Sequence, residues 1–110
     1  MNTEPKMTVD VDGSQKWYLN GKLHRTDGAA EIWSDGTELW YLNGVRHRTD
    51  GAAVIYRDGT RLWYLNDKLH RIDGPAVIYR DGTRWWYLND KKYEYEDWLT
   101  TAEPDATINT

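Results

Sequence analysis

A unit of 23 residues occurs three times in this chain, and it constrains the fold more than any other feature. Its opening tryptophan recurs as Trp17, Trp40, Trp63 and Trp86, and the units that start at Trp40 and Trp63 differ at only six of 23 positions. The chain has 110 residues, the size of one ordinary domain and too short for two independent cores. The sequence therefore predicts a single array of stacked units.

Turn signals divide each unit into short β-strands. Asp-Gly pairs such as Asp58-Gly59 recur at the same period between runs rich in β-forming residues, and an Asn-Gly or Asn-Asp pair follows each Trp-Tyr-Leu. A third break falls at Asp27-Gly28 and its copies. No helical periodicity competes within the array. The predicted fold class is all-β: an elongated, twisted antiparallel sheet of repeated β-hairpins with a short C-terminal helix.

The Asp-Gly pairs also predict a register for the hairpins. Asp-Gly between two strands favours a two-residue loop with a type I′ turn, which needs positive φ at both central positions. Such a loop at positions 58–59 pairs Ile55 with Leu62 and Tyr56 with Arg61. Alternation along the strands then places Tyr56 and Arg61 on one face, together with Val54 and Trp63. Ala53, Ile55 and Leu62 are predicted to share the opposite face.

The two ends of the chain depart from the repeat. We expect residues 1–6 to be disordered and residues 7–92 to form the repeat sheet, with a lead-in strand before Trp17 and a partial unit from Trp86. In residues 93–102 an aromatic or aliphatic side chain stands at each of three positions, Tyr95, Trp98 and Leu99, spaced i, i+3 and i+4. This spacing predicts a helical cap of about two turns. Residues 103–110 are predicted to be a loose tail.

The repeated text is similar to a known class of repeat. The 23-residue period, the hairpin in each unit and the Trp-Tyr-Leu-Asn-Gly-Lys-Leu-His-Arg-Thr-Asp-Gly of residues 17–28 resemble a variant of the MORN repeat found in small phage, bacterial and large-virus proteins. The resemblance covers about residues 7–92 and implies a sheet that serves protein contacts or dimerisation. The lipid-binding role proposed for MORN proteins is not carried over, because their Gly-x-Gly and Tyr-x-Gly steps are not present. The aromatic runs are also similar to choline-binding and glucan-binding wall repeats, whose units are shorter.

Composition narrows the range of possible functions. The chain contains no cysteine, which suits a reducing compartment, and no apolar run of membrane-spanning length, so we expect a cytoplasmic protein without a membrane partner. The net charge is −4, and only residues 40–85 carry a basic excess. A nucleic-acid partner is therefore not expected, since such binding needs a dominant basic field. The chain has seven Trp, eight Tyr and no Phe, so every aromatic side chain carries a polar group. Such rings suit positions where one side packs against the protein and the polar edge contacts water.

The repeated His-Arg-x-Asp-Gly motif carries no predicted chemistry. His24, His47 and His70 occupy equivalent places in successive units, so they should lie about 10 Å or more apart, too far to share a zinc ion. The motif is similar to the catalytic loop of protein kinases, but the similarity indicates no kinase activity. The motif occurs three times, and the chain has no Gly-rich loop. The motif's Arg and Asp residues are predicted to form a charge ladder and turn caps. We expect no enzyme activity, no metal and no cofactor, because an active site would interrupt a repeat rather than be copied by it.

The candidate binding residues are those that differ between the units. Arginines at the tips of the second and third hairpins replace Ser34 and Glu38 of the first, and aromatic residues accompany them. The predicted partner-binding residues are Arg57, Arg61, Arg80, Arg84, Tyr56, Tyr79 and Trp33. Arginine pairs with carboxylate or phosphate through two hydrogen bonds, and tyrosine suits stacking. Alternatively, these arginines form only a solvated edge of the sheet that discourages aggregation.

Three functions follow from this pattern. The first is a non-enzymatic protein–protein interaction module, which the phage-type resemblance extends to an inhibitor of a host defence or nuclease protein. The second is a binder that sequesters a small nucleotide or sugar ligand, and the third is a structural scaffold. Since one sheet cannot cover both of its aromatic faces, we also expect a homodimer or a protein partner on one face.

Overall fold

The computed structural model describes residues 3–102. Within that span the chain forms fourteen strands and one helix: β1 (Lys6–Val9), β2 (Gln15–Leu19), β3 (Lys22–Leu23), β4 (Glu31–Ile32), β5 (Glu38–Leu39), β6 (Tyr41–Leu42), β7 (Val45–Arg46), β8 (Val54–Ile55), β9 (Arg61–Leu62), β10 (Tyr64–Leu65), β11 (Lys68–Leu69), β12 (Val77–Ile78), β13 (Arg84–Leu88), β14 (Lys91–Tyr93) and α1 (Tyr95–Ala102). The principal dimensions are 51 × 36 × 20 Å. The predicted fold class, an open antiparallel sheet of hairpins with a short C-terminal helix, is confirmed.

Each repeat unit contributes to two ladders of strands. The main sheet has the order β1-β2-β4-β5-β8-β9-β12-β13-β14, with β3 paired to β2, whereas β6–β7 and β10–β11 form two small hairpin sheets. The chain passes from one ladder to the other at the unit's tryptophan, as at Trp40 between β5 and β6. Backbone hydrogen bonds join neighbouring small hairpins, for example from Gly44 N–H to the Leu23 carbonyl at 2.9 Å. Successive units therefore stack through both ladders.

The Asp-Gly pairs form a different turn from the type I′ turn predicted for them. At the Asp-Gly turns the loop has three residues, because Tyr56 N–H donates to the Thr60 carbonyl at 2.9 Å and Gly59 N–H to the Tyr56 carbonyl at 2.9 Å. Only the glycine is left-handed there, at a φ of 96° for Gly59. This is a type I turn followed by a left-handed glycine. The type I′ turn lies at the other signal, where both Asn43 (φ 52°) and Gly44 (φ 82°) are left-handed.

The longer loop shifts the hairpin register by one residue from the predicted one. Val54 pairs with Leu62, and Ile55 pairs with Arg61. The prediction that paired Ile55 with Leu62 and Tyr56 with Arg61 is wrong, because a two-residue loop was assumed where a three-residue loop forms. A shift of one residue exchanges the faces of one strand relative to its partner. Arg61 therefore shares a face with Ile55 and not with Tyr56.

The buried side of the main sheet is a row of paired apolar residues near the middle of the strands. The pairings run from Leu39 to Val54 to Leu62 to Val77, and Leu39, Val54 and Val77 are buried. The alanines that precede β4, β8 and β12 are fully buried, and they are Ala30, Ala53 and Ala76. Small side chains at these positions let the neighbouring strand approach closely. Their backbones bond to the adjacent units, as from Trp40 N–H to the Ala53 carbonyl at 2.7 Å.

A column of buried hydroxyl groups links each hairpin tip to the next. Thr37 Oγ1 accepts a hydrogen bond from Arg57 N–H at 3.2 Å, and Thr60 Oγ1 accepts one from Arg80 N–H at 3.3 Å. Ser14 in the lead-in turn does the same for the first unit. These hydroxyl groups accept hydrogen bonds from loop N–H groups that have no partner in a neighbouring strand. This explains why a Ser or Thr directly follows each Asp-Gly at a hairpin tip.

This column gives a prediction with a control inside the chain. We expect Thr37→Val to lower the free energy of unfolding by about 1–2 kcal/mol, because Arg57 N–H loses its acceptor in a buried place. Thr83→Val removes the same hydroxyl from the last hairpin, where Thr83 is exposed and serves no later tip. Both threonines contact the aspartate of their own turn, so the difference isolates the bond between units. Urea unfolding measures both, and equal losses would contradict the linking role.

Strand β1 and helix α1 form the two ends of the described array. β1 begins at Lys6, one residue before the predicted start of the repeat sheet, and pairs with β2 as a lead-in strand. The helix begins at Tyr95, because residue Tyr93 of the predicted 93–102 cap belongs to β14. Residues 1 and 2 of the predicted disordered start, and the predicted tail at 103–110, lie outside the described residues.

Candidate functional site

The seven predicted partner-binding residues are all exposed, but the structure divides five of them between two faces of the sheet and places the other two in the hairpin tips. Tyr56 follows Ile55 along the strand and so points to the opposite face, whereas Arg61 lies directly across from Ile55. The predicted combination of Tyr56 with Arg61, and of Tyr79 with Arg84, on one face is therefore wrong. Two separate surfaces replace it.

The first surface is a file of aromatic rings, one from each hairpin. Trp33, Tyr56 and Tyr79 stand 23 residues apart and are 38%, 37% and 45% exposed. We call these three residues the aromatic file. The rings of Trp33 and Tyr56 meet edge to face with centroids 6.3 Å apart. Trp33 Nε1–H donates to Glu31 Oε2 at 2.8 Å, which orients its indole.

Two further tyrosines border the aromatic file, and the sequence prediction did not include them. Tyr41 and Tyr64 are half-buried, and burial raises the pKa of both phenols. The phenol of Tyr56 also raises the pKa of each of them, so the three hydroxyl groups share one surface. The sequence pattern could have identified them, because each stands two residues after a leucine of the apolar row, Tyr41 after Leu39 and Tyr64 after Leu62. Alternation puts such a position on the core side of the sheet.

A charged bridge holds the small hairpins at this border. Arg46 Nε donates to Asp67 Oδ1 at 2.6 Å, and the Arg46 guanidinium lies 4.1 Å from the Tyr64 ring centroid. Burial is the largest single influence and opposes the charge of Arg46, but the hydrogen bond with Asp67 and the electrostatic attraction of Tyr64, Asp67 and Tyr41 together exceed it, so the pKa of Arg46 is raised. The same bond lowers the pKa of Asp67. The arginine is thus a fixed cation beside Tyr64.

The second surface lies on the opposite face, where isoleucines and charged residues alternate. Direct cross-strand pairings connect six residues in one line, which we call the isoleucine row: Ile32, Glu38, Ile55, Arg61, Ile78 and Arg84. The three isoleucines are half-buried, and both arginines are exposed. Arg61 also lies over the Trp63 ring at 5.4 Å. Half-buried isoleucines on an open sheet face leave apolar surface in water.

The remaining predicted residues, Arg57 and Arg80, lie in the loops at the hairpin tips. Their backbone N–H groups bond to the threonine column, and their side chains are exposed. The charge of Arg57 contributes to the lowered pKa of Asp35, and that of Arg80 contributes to the lowered pKa of Asp58. These arginines therefore stand beside acidic turn residues of the preceding unit.

The repeated His-Arg-x-Asp-Gly motif packs the units rather than forming a reactive site. The Arg48 guanidinium lies 3.8 Å from the Trp40 ring centroid, Nη1 donates to the Ala52 carbonyl at 3.0 Å, and Nε donates to Asp50 Oδ1 at 2.8 Å. Gly51 makes room, since a Cβ there would meet Arg48 Cζ at 2.9 Å. The equivalent Arg25 and Arg71 make the same three contacts.

The predicted roles of the motif need one correction. The aspartate of each motif, such as Asp50, accepts its hydrogen bond from an arginine side chain, whereas a backbone N–H was predicted. The backbone-capping aspartates are those of the hairpin tips, as Asp58 accepts from Thr60 N–H at 2.8 Å. The histidine joins units: His47 Nδ1 accepts a hydrogen bond from Asn66 N–H in the next turn at 2.9 Å.

The tip aspartates predict a dependence of stability on acidic pH. Hydrogen bonds from the backbone N–H two residues on are the main reason why the pKa values of Asp12, Asp35, Asp58 and Asp81 are lowered. A carboxylate whose pKa is lower in the folded state stabilises that state above its unfolded pKa, and protonation removes the contribution as the pH falls. We therefore expect the melting temperature to fall from about pH 4 downward.

The control replaces all four tip aspartates with asparagine, which keeps an acceptor oxygen but does not ionise. This variant should melt with a weaker dependence on pH below about pH 4 than the unchanged protein, as thermal unfolding followed by circular dichroism would measure. Parallel curves for the two proteins would mean that the tip carboxylates do not stabilise the fold through their charge.

Comparison of the chain with known proteins assigns it to no family. No protein-family model matches the chain, and no curated protein matches it either. The MORN-like relationship therefore stays a prediction. Within residues 3–102, no helix has the length and apolarity needed to cross a membrane. In the same part of the chain, no three His, Asp or Glu side chains are grouped so that they could hold a metal ion.

Proposed function

We propose that this protein is a non-enzymatic module that binds another protein through the aromatic file. The observation that carries the proposal is the exposure of three large rings at equivalent positions of successive hairpins. Rings held on a rigid sheet lose little conformational entropy on binding, and Tyr and Trp are the residues most enriched at the energetic centres of protein interfaces. The cytoplasmic location expected from the cysteine-free sequence belongs to this proposal.

The surroundings of the aromatic file support an interface with a polar rim. Tyr41 and Tyr64 add two half-buried rings with hydroxyl groups, and Arg46 adds a cation held by Asp67. Scaffold contacts do not dictate the three residues of the file, because the position holds Trp33 in the first unit and tyrosine in the next two. Such variation among otherwise repeated units indicates a surface adapted to a ligand.

A capture experiment with two matched variants tests the proposal. One variant carries Trp33→Ser, Tyr56→Ser and Tyr79→Ser, and the control carries Arg61→Ser and Arg84→Ser on the opposite face. We expect a partner captured from lysate to be lost by at least about tenfold with the first variant and retained with the control, since interface anchors are worth about 2 kcal/mol or more each. Equal recovery with the first variant and the unchanged protein would refute this surface.

A second copy of the chain is the partner that the isoleucine row favours. The row reads Ile32, Glu38, Ile55, Arg61, Ile78 in order across the sheet. If two copies face each other with a two-fold axis parallel to β8 through Ile55, the order is reversed in the partner. Ile32 then faces Ile78, Ile55 faces itself, and Glu38 faces Arg61 twice. A two-fold interface is self-complementary in this way, and it buries the part of the isoleucine surface that one copy leaves in water.

The charges select this arrangement over the other face-to-face dimer. A two-fold axis along the row would place each residue opposite itself, so that Glu38 faces Glu38 and Arg61 faces Arg61. Like charges in direct apposition cost several kcal/mol at an interface. Only the axis parallel to the strands pairs opposite charges.

Charge reversal tests the homodimer with purified protein. We expect Glu38→Arg and Arg61→Glu each to weaken dimerisation by about tenfold or more, because each puts two like-charged contacts into the interface. The double variant Glu38→Arg with Arg61→Glu should dimerise as the unchanged protein does. Sedimentation equilibrium measures the dissociation constants. A protein that is monomeric at tens of micromolar, or a double variant that is not rescued, would contradict this dimer.

The other functions predicted from the sequence stay predictions. Inhibition of a host defence or nuclease protein is one form of the proposed module, and its partner would be recovered in the capture experiment. The hypothesis of a nucleotide or sugar binder assumed that Arg and Tyr side chains share one face of the sheet. Arg61 and Tyr56 lie on opposite faces, so that support is removed. A ligand at 100 times its dissociation constant would raise stability by about 2.7 kcal/mol in a thermal-shift screen. A structural scaffold would show neither a captured partner nor a thermal shift with a ligand.

A further inference from the structure

Equivalent clefts lie between successive units, on the side of the sheet opposite to the aromatic file. Each cleft is formed by the Arg-x-Asp-Gly loop of one unit and by the Trp, Leu and His of the next. The first is lined by Arg25, Thr26, Asp27, Gly28, Trp40 and His47, and the second is lined by Arg48, Asp50, Gly51, Trp63, His70 and Ile72. Because the units repeat, the third cleft lies between the loop that begins at Arg71 and Trp86.

The chain fills the third cleft with its own helix. Trp98 of α1 is 5% exposed, lies 6.3 Å from the Trp86 ring centroid, and donates from Nε1–H to the Arg71 carbonyl at 2.9 Å. Tyr95, one turn earlier, lies 5.0 Å from Trp86. The two helix rings stack on each other with centroids 6.0 Å apart. An aromatic pair spaced i, i+3 on a short helix thus supplies both the ring contacts and the hydrogen bond.

The two open clefts offer an aromatic group the same kind of partners. The carbonyls equivalent to that of Arg71 belong to Arg25 and Arg48, which line these clefts. In place of Tyr95, a guanidinium lies over each cleft tryptophan, that of Arg48 over Trp40 and that of Arg71 over Trp63, at 3.8 and 3.9 Å. Arg48 also lines the first cleft, and Arg71 also lines the second, so each cleft offers an incoming ring the side of a guanidinium group.

We propose that the two open clefts bind a short helical peptide that presents an aromatic pair spaced i, i+3, with an indole N–H as donor. The helix α1 is the chain's own example of such an occupant. An incoming tryptophan would pack into the cleft beside that arginine and donate its N–H to the carbonyl of Arg25 or Arg48. The clefts repeat along one side of the sheet, so a partner with two such motifs would bind both at once and gain from the raised effective concentration.

A labelled peptide with the sequence of residues 94–102 tests the clefts of the full-length protein. We expect saturable binding with two peptides per chain, because the third cleft is occupied by α1. The same peptide with alanine in place of the residues equivalent to Tyr95 and Trp98 should bind at least about tenfold more weakly, since it keeps the charges but lacks the rings. Fluorescence anisotropy gives the affinity, and titration calorimetry gives the stoichiometry.

Variants of the protein identify the clefts as the binding place. Thr26→Glu should reduce the stoichiometry from two to one, and Thr26→Glu with Ile72→Glu should abolish binding, because both side chains are exposed at the cleft mouths. Thr100→Glu, which adds the same charge on the exposed side of α1, is the control and should bind two peptides. No binding up to about 1 mM, equal binding of the alanine peptide, or no effect of the cleft variants would overturn the proposal.

These outcomes are independent of the protein-binding module proposed above. Serine at Trp33, Tyr56 and Tyr79 should leave the peptide's binding unchanged, because Trp63 shares its face with Arg61 and not with the aromatic file. If the serine variant lost the peptide, then the binding place would be the aromatic file and the cleft proposal would be wrong.

Discussion

Replacing Trp98 with alanine is expected to lower the free energy of unfolding by about 3–5 kcal/mol, the range measured for buried tryptophan and phenylalanine. The substitution removes the ring that covers Trp86 and leaves the Arg71 carbonyl without the indole N–H. Since α1 ends the array, part of the loss should appear as local detachment of the helix. Hydrogen exchange of the α1 amides, together with urea unfolding, separates local detachment from global destabilisation.

Leu99→Ala is the matched control for this substitution. Leu99 is the next residue of the same helix but is 43% exposed, so its replacement should cost less than about 1 kcal/mol. A repeat array needs its last unit covered, because the surface that would meet a further unit is otherwise in water. If Trp98→Ala and Leu99→Ala proved equally mild, α1 would not be a structural cap.

Replacing Arg48 with alanine is expected to cost about 2–3 kcal/mol, far more than an ordinary exposed arginine. The side chain is only 22% exposed, it stacks on Trp40, and it donates to the carbonyl of buried Ala52. A stacked cation contributes about 1 kcal/mol, and an abandoned buried acceptor costs about 1–3 kcal/mol. Chemical denaturation of the variant measures the loss.

Two further variants separate the contributions of Arg48. Asp50→Ala should cost well under 1 kcal/mol, because the aspartate is 83% exposed and ion pairs in water contribute little. Arg48→Lys should restore little of the loss, since an ammonium group cannot stack flat on the indole and also donate in two fixed directions. If Asp50→Ala were as damaging as Arg48→Ala, the ion pair would be the main interaction and the stacking argument would fail.

The turn signals show how far local sequence can predict this fold. Asn43-Gly44 and its copies form two-residue turns because residues tolerant of left-handed φ stand at both central positions. Asp58-Gly59 is equally compatible with a two-residue loop and with a three-residue loop that ends in a left-handed glycine. The dipeptide alone therefore could not predict the register.

Contacts between units decide between those two loops. In the observed register, Thr37 Oγ1 reaches Arg57 N–H of the next tip, and Val54 lies in the buried row beside Leu39. These interactions join residues 20 and 15 positions apart in sequence. For the same reason the sequence located all seven candidate residues on the surface but placed Tyr56 and Arg61 on one face.

The sequence by itself determined the number of units, the hairpin in each unit, the short strands and the helical end, because these follow from periodicity and local conformational preference. The tertiary structure alone decided which face each side chain occupies and why His-Arg-x-Asp-Gly is repeated. Arg48 is retained because it fills the space between Trp40 and Gly51 and bonds to Ala52. Such roles depend on the stacking of one unit on another, and a pattern read within a single unit does not contain that information.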